Sequence, residues 1–407
     1  MKTEEFKKYA QLVLKKGVNL QKGQSVFFNC PVERADVARI FVKEAYALGA
    51  AYAKVLYNDE KLDRLSYEYA DTKTLCDIFP SAVLAKDEIV QKGAAYVSLI
   101  AEDPNALKGL DEEKIAAVSK ARAAAFQNFQ GAVMTNRIRW CVAAIPGKEW
   151  AKALFPSSDE PEEALWNAIK KTVRLDSSDP EKAWREHIDV LNARAAFLNG
   201  KSFAALHFTA SCGTDLTVGL ADGHVWLAAE ETAADGVRFI ANLPTEEIFT
   251  APHREKVNGT VKNALPLVED GNVIDGFTLE FKNGEVVSYS AEKGEKVLQG
   301  ILSSDAGANR IGEVALIGKN SPIAKSGLLF LNTLFDENAS CHLALGKAYP
   351  TTLRGGDAMQ KDALLAAGAN DSSIHVDFMI GTDDLRVTGI LADGKETLLM
   401  ENGNWVI

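Results

Sequence analysis

The residue types that could do chemistry crowd into the C-terminal half of the chain. His375 and Asp377 stand in SSIHVDFMIG. On a strand, residues two apart point to the same face, so an imidazole and a carboxylate at this spacing can converge on one cation. The same pair also suits a plain hydrogen bond, since carboxylates commonly orient histidines. His342 lies in ENASCHLALGKAYP, where small neighbours permit close backbone approach and Tyr349 directly precedes Pro350. Glu313 opens GEVALIG after Gly312, a strand end that serves equally for a ligand or an exposed edge glutamate. Glu246 and Glu247 fall in NLPTEEIFTAPH, where Asn242, Pro244 and Pro252 constrain the acidic pair for either capping or ligation.

Taken together, Glu313, Asp377 and one of Glu246 and Glu247, with His342 and His375, supply three carboxylates and two imidazoles. That mixture of hard and borderline donors suits zinc, cobalt or manganese. Three carboxylates and a hydroxide carry four negative charges and so balance two divalent ions, whereas one ion would leave a buried negative excess. Two divalent metal ions per chain are therefore expected. The remaining histidines, His187, His207, His224 and His253, read as surface or hydrogen-bonded groups in a helix, a strand-like run and beside turns. Cys30, Cys76, Cys141, Cys212 and Cys341 are widely spaced with no CxxC pair, so neither a disulfide framework nor a zinc ribbon is indicated, and a reducing cytoplasm fits.

The elements that must position these groups divide into two patterns. Residues 1–200 read as an α/β domain, doubly wound on a mostly parallel sheet. SVFFNC at Ser25–Cys30 is a buried strand, Val32–Leu48 a helix ended by Gly49, and Ala51–Tyr57, Tyr96–Ala101 and Ile138–Ile145 are further strands with helical segments between them. The turn after the first strand is CPVER, without the GxGxxG of a dinucleotide site. A helix carrying Trp184, His187, Leu191 and Ala195 ends near Gly200. Residues 201–407 read as a β-rich α+β domain that holds the metal ligands, with tight turns at Asp222-Gly223, Asn283-Gly284 and Asp393-Gly394 between short apolar runs. An antiparallel sheet or open barrel is expected there.

The composition excludes several classes. With 407 residues, 47% of them hydrophobic and 25% charged, the chain can bury two cores. A formal net charge of -11 argues against a phosphate-tracking surface, so no nucleic-acid partner is expected. The start, MKTEEFKKYAQLVLKKGVNL, has charges at helical spacing rather than an apolar core, and no run reaches the roughly 20 residues of a membrane span. A soluble, cytoplasmic protein with no membrane partner is expected.

In order along the chain, RWCVAAIPGKEWA, NLPTEEIFTAP, NRIGEVALIG, CHLALGKAY and HVDFMIG resemble the bacterial metalloaminopeptidase family of aminopeptidase T, aminopeptidase S and PepS, and the resemblance covers most of the chain. It implies metal ligands at Glu247, Glu313, His342, His375 and Asp377 and a catalytic tyrosine at Tyr349. It also implies Glu313 as general base, with Glu246 the physical alternative because a ligating carboxylate is a compromised base. The activity implied is release of N-terminal amino acids from peptides with a free N-terminus, through a dinuclear metal-activated water, by a homodimer. Two rival readings stand beside it. The scaffold is also similar to that of a mononuclear non-haem iron ring-cleaving dioxygenase, for which His342, His375 and Asp377 would form a facial triad. The other is a non-catalytic, metal-stabilised binding protein.

Overall fold

The computed structural model describes residues 3–269 and 272–407. The chain forms two compact units, one comprising Met1–Arg185 with Glu230–Pro244 and the other Glu186–Ala229 with Thr245–Ile407.

The first unit is built on a parallel sheet. Its strands lie in the order Tyr52–Asn58, Ser25–Pro31, Ala95–Ile100, Trp140–Ala144 and Asn242–Leu243, every adjacent pair parallel. Val26, Phe27, Phe28 and Cys30 are all buried, so the first strand is apolar on both faces, as a sheet covered by helices requires. The segment read as one helix from Val32 begins instead with a 3₁₀ turn, Val32–Arg34, and becomes α-helical over Ala35–Ala47. Asp59 caps the helix Glu60–Tyr69, its carboxylate accepting from the amides of Lys61 at 3.0 Å and Leu62 at 3.3 Å. Asn242 and Leu243, which Pro244 marks as a turn, pair with Val142 and Ala143 and add the fifth strand. Local turn chemistry cannot reveal a strand whose partner lies about 100 residues away in sequence.

The second unit is antiparallel. An eight-stranded sheet runs from Glu285–Ser290 at one edge to Asn404–Trp405 at the other, with Ala205–Ala210 paired to Thr214–Leu220 at its middle. A second sheet of four strands, Ile248–Thr250, Ile311–Leu316, His342–Gly346 and His375–Met379, carries the candidate site. Among the described residues no helix is long and apolar enough to cross a membrane.

Candidate metal centre

The register of the four-stranded sheet places the chemistry. Ala344 on the central strand lies between Glu313 on one neighbour and Asp377 on the other. Cross-strand partners share a face, as do residues two apart on a strand, so Glu313, His342, His375 and Asp377 all project from one face. The positions between them are small. Ala315 lies opposite His342, and Gly346 opposite His375. A Cβ on Gly346, whose φ is 99°, would lie 2.2 Å from the Ile374 carbonyl oxygen. The small residues of HLALG thus leave the space into which the imidazoles and carboxylates lean. Glu247 immediately precedes the edge strand, two residues before Phe249, which pairs with Ala315 on the same face. Replacing Ala344 with leucine is therefore expected to fill the cluster without removing any donor. Metal uptake measured by mass spectrometry should fall roughly tenfold or more while the protein remains folded, since overpacking costs about 1–3 kcal/mol.

His342 Nε2 stands 3.3 Å from Glu313 Oε1, 3.4 Å from Glu247 Oε2 and 3.8 Å from Asp377 Oδ1. His375 Nε2 stands 3.4 Å from Asp377 Oδ1 and 3.9 Å from Glu313 Oε2. The two oxygens of Glu313 thus face different imidazoles. Donor atoms of Glu247, Glu313 and His342 lie within 4.8 Å of one another, and so do those of Glu313, His375 and Asp377. Each imidazole is oriented from behind. Nδ1 of His342 donates to the Glu337 carbonyl at 2.7 Å, and Nδ1 of His375 to the Lys347 carbonyl at 2.7 Å. That bond fixes the tautomer and turns the Nε2 lone pair of a neutral ring toward the carboxylates.

A lone pair facing carboxylate oxygens in a buried site is repulsive unless a positive charge lies between them. In the metal-free cluster a proton takes that place. Burial opposes the charged form of His342, but the hydrogen bond to Glu313 and the charges of Asp377, Glu247 and Glu313 outweigh it and hold the ring up at about 10. For His375, burial is likewise outweighed by Asp377 and Glu313, and that ring is also held at about 10. Asp377 is lowered, the penalty of its burial overcome chiefly by His375. Its Oδ1 is buried with no aligned hydrogen-bond donor. Three carboxylates, two imidazoles in the ligating tautomer and a buried unsatisfied oxygen are the donor chemistry of a divalent cation site.

Tyr349 stands beside this cluster, its ring edge-on to His375 at 5.0 Å between centroids and to Phe249 at 6.1 Å. Glu246 is not brought into either donor group. It is buried, its Oε2 lies 3.6 Å from His187 Nε2, and its amide donates to Asn338 Oδ1 at 2.7 Å. His187, read as an ordinary helix histidine, also meets the Thr245 carbonyl at 2.8 Å through Nε2. Glu337 was not singled out by its sequence context. Its carboxyl is pushed well above the usual range by burial and by the charges of Asp377 and Glu247, and so joins the same electrostatic cluster. It lies in the 3₁₀ turn Glu337–Ala339, and its only local signal is an acidic residue five positions before His342.

The profile of the thermophilic metalloprotease (M29) family matches residues 2–405. The chain belongs to this family. Among relatives in the family, aminopeptidase 2 of Geobacillus stearothermophilus is 45% identical over 404 residues, covering 99% of this chain and 98% of the relative. Aminopeptidase PepS of Streptococcus thermophilus is 44% identical over 407 residues, with coverage of 99% and 98%. Wild-type AmpT from Thermus thermophilus superposes with a TM-score of 0.93 at 39% identity, covering 99% of both chains. The fold is also that of 2,5-dihydroxypyridine dioxygenase from Pseudomonas putida KT2440, at a TM-score of 0.53 and 13% identity over 99% of this chain and 96% of that one. In this M29 chain an α/β unit on a parallel sheet accompanies a β-rich unit that bears the donor cluster.

Proposed function

We propose that this chain is a metal-dependent aminopeptidase that holds two divalent ions, one by Glu247, Glu313 and His342 and the other by Glu313, His375 and Asp377. The observation that carries the reading is the position of Glu313, whose two oxygens belong to two donor groups. When bound, such ions supply Lewis acidity, which lowers the pKa of a water and polarises a scissile carbonyl. Zinc, cobalt and manganese all accept the donor set. The working form proposed is a cytoplasmic homodimer, which light scattering of the purified protein tests directly.

The chain's own residues give the exopeptidase character. Glu337 adds no fourth charge, because burial and the neighbouring carboxylates hold its carboxyl well above the usual range, so Glu247, Glu313 and Asp377 supply three negative charges. With a hydroxide those charges would balance two divalent ions, and the α-amine of a peptide with a free N-terminus would be held by one ion or by a neighbouring carboxylate. Tyr349, steadied by His375 and Phe249, donates its hydroxyl proton in a hydrogen bond to the developing oxyanion. Glu313 is the preferred proton acceptor, because Glu246 is engaged by His187 and by Asn338. Tyr349→Phe is expected to lower kcat roughly 10²-fold with metal content unchanged, the loss of one preorganised donor. Equal kcat in the variant would remove Tyr349 from the mechanism.

Hydrolysis of a panel of free and N-acetylated peptides by chelator-stripped and metal-reconstituted protein tests the function. Turnover is expected only with the free peptides and only after reconstitution. Cleavage of the blocked peptides, or about one iron per chain without peptide turnover, would overturn it.

A further inference from the structure

We propose that the first unit carries its own binding site for a small zwitterion of the α-amino-acid class, in a cavity at the carboxyl ends of its parallel strands. The cavity has a volume of about 240 Å³ and is walled by Pro31 and Asn58, which end two strands of the sheet, by Ala101, which directly follows a third, and by Gly147, three residues beyond the end of the fourth. Open α/β sheets bind ligands in the crevice at their carboxyl edge where the strand order reverses. Here the order reverses at Ser25–Pro31, which lies between the second and third strands of the chain.

The chemistry of the lining selects the occupant. A nucleotide is disfavoured, since the turn after the first strand has no glycine to cradle phosphate and Glu33, Glu60 and Asp103 also line the cavity. The volume lies below the roughly 300–1,000 Å³ of sites for drug-sized ligands, so the ligand is smaller. Most charges of the rim are already matched. Lys61 pairs with Glu33, and Arg64 donates to the carbonyls of Ala106 at 2.8 Å and Lys108 at 3.1 Å.

With Lys148 exposed at the rim, three groups are left to hold a ligand from within. Arg34 is only 6% exposed, its Nη1 committed to the Pro146 carbonyl and its Nε 3.4 Å from Asp36 Oδ1, while its Nη2 makes no hydrogen bond among the described residues. Asn58 Oδ1 is buried and accepts no hydrogen bond. Glu60 accepts from the Asp103 amide at 3.1 Å, and burial together with the charges of Glu102, Asp103 and Glu33 pushes its carboxyl up to about 7. Among the described residues no cation pairs with Glu60, and the Nη2 edge of the buried guanidinium is open. A carboxylate on Arg34 and an ammonium on Glu60 and Asn58 satisfy all three, while Val32, Ala101 and Ala106 suit a small apolar side chain.

The site rests on the first unit alone and not on the peptidase reading. Isothermal titration calorimetry of the full metal-loaded chain at pH 8 tests it with L-alanine, L-leucine, N-acetyl-L-alanine, L-alaninamide and inorganic phosphate. Saturable binding of the two amino acids is expected, weakened roughly tenfold or more in each blocked analogue and in Asn58→Leu and Glu60→Gln, and retained in Glu313→Gln. Melting curves confirm that the variants fold. Absence of saturable binding, phosphate binding more tightly than the amino acids, or loss in Glu313→Gln with none in Asn58→Leu and Glu60→Gln would each overturn the site. Peptide hydrolysis assayed on the same preparations separates the two readings: activity without amino-acid binding removes the site alone, and amino-acid binding without activity removes the peptidase reading alone.

Discussion

Glu313→Gln is expected to abolish peptide hydrolysis, lowering kcat/KM by about 10³-fold or more, and to release both ions. The expectation follows from the position of this one side chain. Its Oε1 lies 3.3 Å from His342 and its Oε2 3.9 Å from His375, so it is the single residue common to both donor groups. Glutamine keeps the shape but offers one neutral acceptor in place of two anionic ones. Lewis-acid stabilisation is worth several kcal/mol, and each 1.36 kcal/mol is tenfold in rate. Glu247→Gln and Asp377→Asn supply the contrast, because each belongs to one group only. Each should cost one ion per chain and leave the other, whereas Glu313→Gln should cost both. Metal content by mass spectrometry reads this independently of turnover. If Glu313→Gln retained two ions per chain, the shared-ligand assignment would be wrong whatever its activity.

The contrast also indicates which parts of the site sequence reasoning can reach. His375 and Asp377 are legible because strand periodicity is a local rule, and the strand His375–Met379 obeys it. The space around them is legible in part, since the small residues of HLALG occupy the same face as the ligands. Glu313 is harder. A bulge between Ile311 and Glu313 sets its register, and no short pattern encodes that irregularity. Glu337 is not legible, because a single 3₁₀ turn carries its carboxyl toward Asp377 and Glu247, residues distant in sequence. The same holds for Asn338, which bears no charge to draw notice. It is fully buried, ties the Glu246 amide to its Oδ1 at 2.7 Å, and donates from Nδ2 to the Leu334 carbonyl at 3.1 Å. For the fold, the parallel sheet of the first unit follows from alternating strands and helices, whereas the pairing of Asn242–Leu243 follows from nothing local. Periodic features are written in the sequence near the residues concerned, and closures between distant segments are not.

Metal affinity is expected to climb steeply with pH, by about tenfold per unit for each imidazole proton displaced, and so by roughly a hundredfold per unit for the two sites together. The sign follows from the metal-free cluster. His342 and His375 are each held at about 10 against an ordinary value of 6.5, the carboxylates of Glu313, Asp377 and Glu247 outweighing the opposing effect of burial. A group raised in this way adds stability that is fully present below pH 6.5 and is lost as the pH rises to about 10. Over that window the metal-free protein should therefore weaken as protons leave, while the metal-loaded protein, whose imidazoles are already deprotonated, should not. The two melting temperatures should diverge as the pH rises. Competition against a chromophoric chelator at pH 6.5, 7.5 and 8.5, corrected for the chelator's own protonation, reads the affinity directly. A flat profile would mean that the imidazoles carry no proton to displace and that the carboxylate cluster is neutralised in some other way. A rise that disappears in His342→Gln and His375→Gln together would assign the displaced protons to these two rings, and with them the role of the cluster as a site built for positive charge.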